Sequence, residues 1–382
     1  MSTDVLGRVR RRLVDAGIAP DRPALAALVR AETGGLTGDA DVLDLVREAA
    51  SEFAGAGPLD ALLRVPGITD VLVNGPGEVW VDRGHGLERV AQRFTDEASL
   101  RRLAQRLAAQ AGRRLDDASP YVDAALPDGT RLHAVLPPIA GAGTCLSLRT
   151  FRRRGFTLGE LELEGTLTAE TCQLLREIVR ARLAFMVTGG TGSGKTTLLG
   201  AVLGLVDPRE RLLFVEDAAE LRTTHHHVVR LAARPPNVEG AGEVSLRDLV
   251  RQALRMRPDR LIVGEVRGAE VVELLTALNT GHAGSAGTVH ANSASELPAR
   301  LEALGTLGGL NRQAVHSQAI AALQVVLHLA RRRDGRRVLA EIAVFRADEG
   351  LARVVPAWRY EGGRAEGWKE LATLLDRSGA RP

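Results

Sequence analysis

The sequence predicts an α/β protein whose C-terminal part forms a parallel sheet with crossover helices. Three observations lead to this prediction. From about residue 165, short apolar runs alternate with helical patterns. A glycine-rich loop stands between one of these runs and a helix, and 45% apolar with 25% charged residues is the composition of a globular protein. Because 382 residues suffice for two cores, we expect more than one domain.

The part before the parallel sheet divides into two predicted segments. Residues 1–54 carry apolar side chains at helical spacing, which predicts a small helical segment. It is either a docking or spacer module or a cap on the next domain. Residues 55–151 predict an α+β domain with two hairpins and a helix over 97–112. A basic linker over 152–166 then leads to the α/β domain over 167–382.

Individual elements follow from apolar runs and the turns between them. In the α+β domain the predicted strands are 68–73, 78–81, 121–125, 131–136 and 144–150. In the α/β domain they are 183–187, 211–215, 261–263 and 287–289, with helices over 196–203, 245–256, 269–278 and 296–304. Since the carboxyl ends of parallel strands meet at one edge of the sheet, the side chains that follow these strands should gather there.

The glycine-rich loop predicts a phosphate site. Residues 189–196 read Gly-Gly-Thr-Gly-Ser-Gly-Lys-Thr, the spacing of a Walker A loop, in which backbone N–H groups surround phosphates and the lysine reaches the β/γ oxygens. Only two of the fifty basic residues are lysines, and Lys195 is one of them. We expect ATP and Mg²⁺ as cofactors, with Thr196 ligating the metal. The predicted nucleotide-binding residues are Gly190, Thr191, Gly192, Ser193, Gly194, Lys195, Thr196 and Thr197.

Three further strand ends carry polar residues. Glu216 and Asp217 close one strand, and Glu265 closes the apolar run 261–263 in a Walker B arrangement. Gly264 stands where an aspartate often holds Mg²⁺, so Glu265 should act on the metal through water. Either glutamate could position the attacking water. His290 ends a third strand, and with His282 it predicts a γ-phosphate sensor.

Residues 228–240, 254–270, 278–282 and 288–293 resemble the type II/type IV secretion ATPase superfamily, and within it the tight-adherence (CpaF/TadA-like) pilus motor branch. The resemblance implies a homohexameric ATPase in which a PAS-like domain precedes a RecA-like P-loop domain. It implies Walker A roles for Lys195 and Thr196, a Walker B role for Glu265 and a His-box role for His290. Glu216 and Asp217 match the Asp box. It also implies that Arg131 and Arg149 reach the nucleotide phosphates, whereas the residues alone favour hairpin surface charge.

This resemblance implies a motor that powers pilus assembly, pilus retraction or secretion through inner-membrane platform proteins. No apolar run has the length of a membrane span, so we expect a cytoplasmic protein that reaches the membrane through partners. A net charge of +3 and 3% aromatic residues do not favour specific nucleic-acid binding. The alternatives are a RecA-like ATPase that tracks nucleic acid and a nucleotide-gated scaffold with little turnover.

Overall fold

The computed structural model describes residues 2–16, 21–33, 38–84, 86–150, 154–236 and 240–378. The chain divides into two compact units, Met1–Phe151 and Arg152–Pro382. Among the described residues, none of the helices combines the length and the apolar character that a membrane span requires.

The first unit begins with the predicted helices. They are α1 (Ser2–Ala16), α2 (Arg22–Thr33) and α3 (Asp39–Phe53), followed by the short α4 (Asp60–Leu63). Apolar side chains at helical spacing give the first three a small core of their own, which includes the fully buried Val9, Leu25 and Val29. Arg8 and Arg12 both form ion pairs with Glu32 across this bundle. The prediction of a helical segment is confirmed.

An antiparallel sheet with one helix forms the rest of the first unit. Its elements are β1 (Asp70–Asn74), β2 (Val79–Asp82), β3 (Leu87–Val90), α5 (Glu97–Gln110), β4 (Tyr121–Ala125), β5 (Arg131–Val135) and β6 (Cys145–Arg149). In the described chain the strand order is β3-β2-β1-β6-β5-β4. Both predicted hairpins and the helix are confirmed. Strand β3 was not predicted because its side chains are largely exposed and lack apolar alternation.

The second unit contains a mixed, mainly parallel sheet. Its strands are β7 (Phe185–Gly189), β8 (Leu212–Glu216), β9 (Val228–Ala232), β10 (Arg260–Val263), β11 (Ala286–His290), β12 (Val325–Arg331), β13 (Arg337–Asp348), β14 (Leu351–Arg359) and β15 (Gly363–Arg364). The order is β15-β14-β13-β12-β7-β11-β10-β8-β9 over the described residues. The neighbouring strands β12, β7, β11, β10, β8 and β9 pair in parallel, and β13, β14 and β15 add an antiparallel edge.

Helices cover both faces of this sheet. They are α6 (Leu158–Leu163), α7 (Ala169–Arg180), α8 (Lys195–Leu203), α9 (Leu246–Ala253), α10 (Glu270–Asn279), α11 (Leu297–Leu307), α12 (Arg312–Ala322) and α13 (Trp368–Ser378). Alternate residues of a strand face opposite sides, so Phe185 and Val187 join the core beside α7 and α8, whereas Met186 joins the core beside α9 to α12. Every residue of β7 is buried, as expected for a central parallel strand.

The four strands predicted for the α/β domain, and the helices that follow them, are confirmed. Several other elements of the unit were not predicted, among them α7, β9, α12 and α13. Helix α6 lies within the segment 152–166 that was interpreted as a linker; its Thr157 and Glu160 form a capping box. The strands β12 to β15 also escaped prediction, although Asp334-Gly335 between β12 and β13 is a typical hairpin turn.

Candidate nucleotide-binding site

The glycine-rich loop connects β7 to α8, as predicted, and its glycines are required by geometry. Gly192 and Gly194 have φ of 70° and 96°, values that favour glycine. A Cβ on Gly189 would lie 2.5 Å from the carbonyl oxygen of Leu329 and 2.6 Å from Ser193 Oγ. The loop therefore packs tightly against β12 on one side while its backbone stays free to curve.

Within this loop the polar atoms have an arrangement that suits an anion. Lys195 Nζ donates to the carbonyl oxygens of Gly189 (3.0 Å) and Gly190 (2.9 Å). Burial lowers the pKa of Lys195, and the nearby Glu265 opposes this shift. Ser193 Oγ is buried without a hydrogen-bond partner among the described residues. An unpartnered hydroxyl, a compact ammonium group and a glycine-rich backbone fit a polyphosphate.

The order of the parallel strands brings three of the predicted residues to the same edge of the sheet. His290, the last residue of β11, pairs in register with Gly189 at the start of the loop. Glu216 ends β8, and Glu265 lies two residues beyond the end of β10, which pairs with both β8 and β11. The edge that carries the glycine-rich loop therefore also carries both candidate bases and His290.

Glu216 is buried and is bonded to its own loop. Only 4% of its side chain is exposed, and Oε1 accepts hydrogen bonds from the backbone N–H groups of Glu220 (3.1 Å) and Leu221 (2.7 Å). Oε2 lies 3.6 Å from Arg230. Burial raises the pKa of Glu216 to about 7, and the two backbone N–H groups and Arg230 oppose the shift. These contacts fix the turn after β8.

Glu265 is more accessible, with 33% of its side chain exposed. Arg267 donates to Glu265 Oε2, and the same guanidinium lies 3.4 Å from Asp217 Oδ2. The hydrogen bond to Glu265 raises the pKa of Arg267. Arg267 thus links Glu265 to Asp217, and the carboxylate of Glu265 remains partly exposed and close to Lys195.

Thr196 and Glu265 supply the oxygen atoms that Mg²⁺ prefers. Thr196 is partly buried in the first turn of α8. No group of three or more His, Cys, Asp or Glu side chains with metal-site geometry occurs among the residues that the structure describes. Thr196 would hold a magnesium ion directly and Glu265 would hold it through water, and the ion would neutralise charge on phosphate oxygens.

The remaining predicted residues lie elsewhere. The prediction that His282 neighbours His290 is wrong, because His282 precedes the start of β11 and His290 is its last residue, so the two histidines lie towards opposite ends of the strand. His282 Nδ1 instead lies 3.1 Å from the carbonyl oxygen of Ala277.

Arg131 and Arg149 belong to the first unit, where they pair in register on β5 and β6. Asp123 accepts from Arg131 Nη2 (3.0 Å), and Asp70 accepts from Arg149 Nε (3.0 Å). The two aspartates offset the repulsion expected between like charges directly opposite each other on neighbouring strands. Arg149 is the more exposed, at 57% of its side chain against 27% for Arg131.

Comparison with protein families gives one match that spans most of this architecture. Residues 52–353 match the model described as "Type II/IV secretion system protein". The chain belongs to this family. The matched range includes the glycine-rich loop, both candidate bases, His290, Arg131 and Arg149, so this type II/IV secretion protein carries its predicted site within the family region.

Individual relatives agree with the assignment. A putative conjugal transfer protein of Mycobacterium tuberculosis is 58% identical over 346 residues, covering 89% of this chain and 98% of the relative. The type IV secretion system protein PtlH of Bordetella pertussis is 35% identical, covering 61% and 76%. The ATPase DotB of Yersinia pseudotuberculosis shares the fold at a TM-score of 0.52 with 17% identity, covering 73% and 74%.

The structure of this secretion-family protein explains the glycine that directly follows β10. A Cβ on Gly264 would lie 2.7 Å from Glu216 Cγ. Because Glu216 is buried and bonded to the turn after β8, it cannot move aside without losing those hydrogen bonds. The buried side chain of Glu216 therefore occupies the space that a side chain at position 264 would need, so an aspartate does not fit at that position.

We expect Gly264→Ala to destabilise the protein by about 1–3 kcal/mol, since the added methyl group overpacks a buried site. The matched control is Gly159→Ala in α6, where a Cβ has nothing within 4 Å and alanine is the better helix former. Denaturant unfolding of both variants measures the difference. Equal free energies of unfolding for the two variants would contradict the prediction, because they would show that the Glu216 side chain moves aside at little cost in free energy.

The raised pKa of Glu216 makes stability depend on pH. Between its ordinary pKa of 4.5 and the folded value of about 7, the folded state binds more protons than the unfolded state. The free energy of unfolding should therefore fall as pH rises through this window, by on the order of 3 kcal/mol in total. Glu216→Gln should lack this component in unfolding curves taken from pH 5 to 8. Identical pH slopes for this variant and the wild type would contradict it.

Proposed function

We propose that this chain is an ATPase that converts ATP hydrolysis into mechanical work. The observation that carries the proposal is the shared sheet edge, where the Walker A loop, Glu265 and His290 come together. A loop with Lys195 and a buried Ser193 hydroxyl that has no hydrogen-bond partner in the described part of the chain suits phosphates, and an accessible carboxylate beside it suits the activation of water. Membership of the secretion family supports the same activity.

In the proposed reaction, phosphate binding, metal binding and activation of water fall to different residues. The loop N–H groups and Lys195 bind the β- and γ-phosphates, and Thr196 ligates Mg²⁺, which neutralises charge on the phosphate oxygens when it is bound. Glu265 orients the attacking water and accepts its proton. It is favoured over Glu216 because Glu216 is almost fully buried and its Oε1 is committed to the turn after β8. His290, paired with Gly189, contacts the γ-phosphate.

We also propose that Arg131 and Arg149 act as arginine fingers, which stabilise charge in the transition state. Their adjacent positions on β5 and β6 would present two guanidinium groups to one phosphate chain. Asp70 and Asp123, which pair with them, would be exchanged for phosphate oxygens on binding. Bidentate contacts of this kind are a property of arginine that lysine does not reproduce.

We further propose that the chain works as a homohexamer, of a PAS-like domain followed by a RecA-like domain, on inner-membrane platform proteins of a pilus or secretion system. It would lie in the cytoplasm, at the inner face of the membrane. The motifs at 228–240 and 254–270 support the tight-adherence branch. Relatives named for conjugal transfer and type IV secretion support a role in moving macromolecules across membranes.

Particle imaging of the purified chain with Mg²⁺ and ATP, combined with phosphate-release assays, tests this function. Six-membered rings with steady ATP turnover are expected. Adding single-stranded DNA distinguishes the rival, because a nucleic-acid-tracking ATPase would bind it in a salt-dependent way and hydrolyse ATP faster. Monomers without turnover would refute the motor and leave the nucleotide-gated scaffold.

A further inference from the structure

Arg337 connects the hairpin between β12 and β13 to the glycine-rich loop. It is the first residue of β13 and pairs in register with Arg331 at the end of β12. Arg337 Nε donates to the carbonyl oxygen of Gly192 (2.9 Å), and its Cδ lies 3.5 Å from where a Cβ on Gly194 would be. An arginine distant in sequence therefore rests directly on the loop proposed to bind phosphate.

This hydrogen bond determines which way one peptide group of the loop faces. The peptide between Gly192 and Ser193 is planar and trans, so its C=O and N–H point in opposite directions. The C=O points to Arg337, outside the loop. The N–H of Ser193 accordingly points inward, where it donates to the carbonyl oxygen of Gly190 at 3.3 Å.

Within the loop, the hydrogen bond from Ser193 N–H to the Gly190 carbonyl oxygen is long, at 3.3 Å, and holds that orientation only weakly. Glycines at 190, 192 and 194 impose little preference on the backbone angles, so the peptide group between Gly192 and Ser193 can flip at a low cost in free energy. Turned over, it would present a carbonyl oxygen to the phosphates in place of an N–H group, which replaces attraction by repulsion. An anchor outside the loop is therefore useful, and Arg337 provides one through its hydrogen bond to the Gly192 oxygen.

We propose that Arg337 is a positioning residue of the nucleotide site. Its Nε–H holds the Gly192 carbonyl outside the loop and thereby keeps the Ser193 N–H on the inner side, where a phosphate oxygen would replace the Gly190 oxygen as its acceptor. This inference rests on the proposed ATPase function, because it assumes that the loop binds a nucleotide. Arg337 acts through the loop backbone, so it affects phosphate binding more than the chemical step.

The test compares Arg337→Ala with Arg337→Lys and with Arg336→Ala. Arg336 is the neighbouring exposed arginine, with Asp334 at 3.8 Å, and serves as the matched control. Calorimetry with Mg²⁺ and ADP, and steady-state kinetics with Mg²⁺ and ATP, are the readouts. Arg337→Ala should weaken ADP binding and raise KM for ATP about tenfold while kcat changes less than about twofold, since the lost orientation affects ground and transition states alike.

Arg337→Lys should recover most of the affinity, because an ammonium group can also donate to the Gly192 oxygen. Arg336→Ala should behave as the wild type. The proposal is overturned if Arg337→Ala binds ADP as tightly as Arg336→Ala, or if Arg337→Lys loses as much affinity as Arg337→Ala. A wild-type chain that binds neither ADP nor ATP would instead refute the proposed function itself.

Discussion

Replacing Lys195 with alanine is expected to reduce ATP hydrolysis to the background rate, a loss of at least about a hundredfold. Lys195 Nζ bonds to loop carbonyl oxygens at 2.9 and 3.0 Å, so it already lies inside the loop that is proposed to take the β- and γ-phosphates. Removing its charge leaves the developing charge on the phosphate oxygens without the ammonium group of the loop. Phosphate release at saturating Mg²⁺ and ATP measures the loss.

The chain supplies a matched control for this substitution. Lys369, the other lysine, is exposed on α13, and Lys369→Ala should hydrolyse ATP at the wild-type rate. Calorimetry with ADP would show in addition that Lys195→Ala binds nucleotide more weakly, whereas Lys369→Ala does not. Wild-type turnover by Lys195→Ala would remove the phosphate loop from the proposed mechanism.

Glu265→Gln is expected to lower kcat by about 10²–10³-fold while Mg²⁺–ATP binding stays within about threefold of the wild type. The amide keeps the size of the side chain and loses the ability to accept a proton from water. Glu216→Gln is the comparison, because it alters an almost fully buried carboxyl group that is bonded to Glu220 and Leu221. Rapid-quench hydrolysis and ATP binding, measured on both variants, separate chemistry from affinity.

The expected pattern is a large loss of kcat in Glu265→Gln and a much smaller one in Glu216→Gln. The reverse pattern would assign the base to Glu216. That result would require the turn after β8 to open when nucleotide binds, so that water could reach a side chain that is now 4% exposed.

Much of the site was predictable because the carboxyl ends of parallel strands lie at the same edge of a sheet. Apolar runs that end in Glu216, Glu265 and His290 predicted where those residues meet, and the in-register pairing of His290 with Gly189 confirms it for one of them. The glycine-rich loop was predictable for a related reason, since its positive φ angles demand the glycines that make it visible in the sequence.

Other features depend on tertiary contacts that leave little trace in the sequence. Nothing local distinguishes the buried Glu216 from the open Glu265, because the difference comes from the packing of β8 against Gly264. His282 was misplaced because it is eight positions from His290 in the sequence but at the other end of β11. Arg337 contacts the loop although it is 145 residues away from Gly192 in the sequence. The hairpin turn at Asp334-Gly335 could have predicted the start of β13, but not this contact.

The initial rate of phosphate release by the purified wild-type chain, with saturating ATP and with or without Mg²⁺, tests the central claim most directly. We expect steady, saturable release that requires Mg²⁺ and disappears in Lys195→Ala. Tight ATP binding without phosphate release over many minutes would contradict the account, because it would make the chain a nucleotide-gated scaffold.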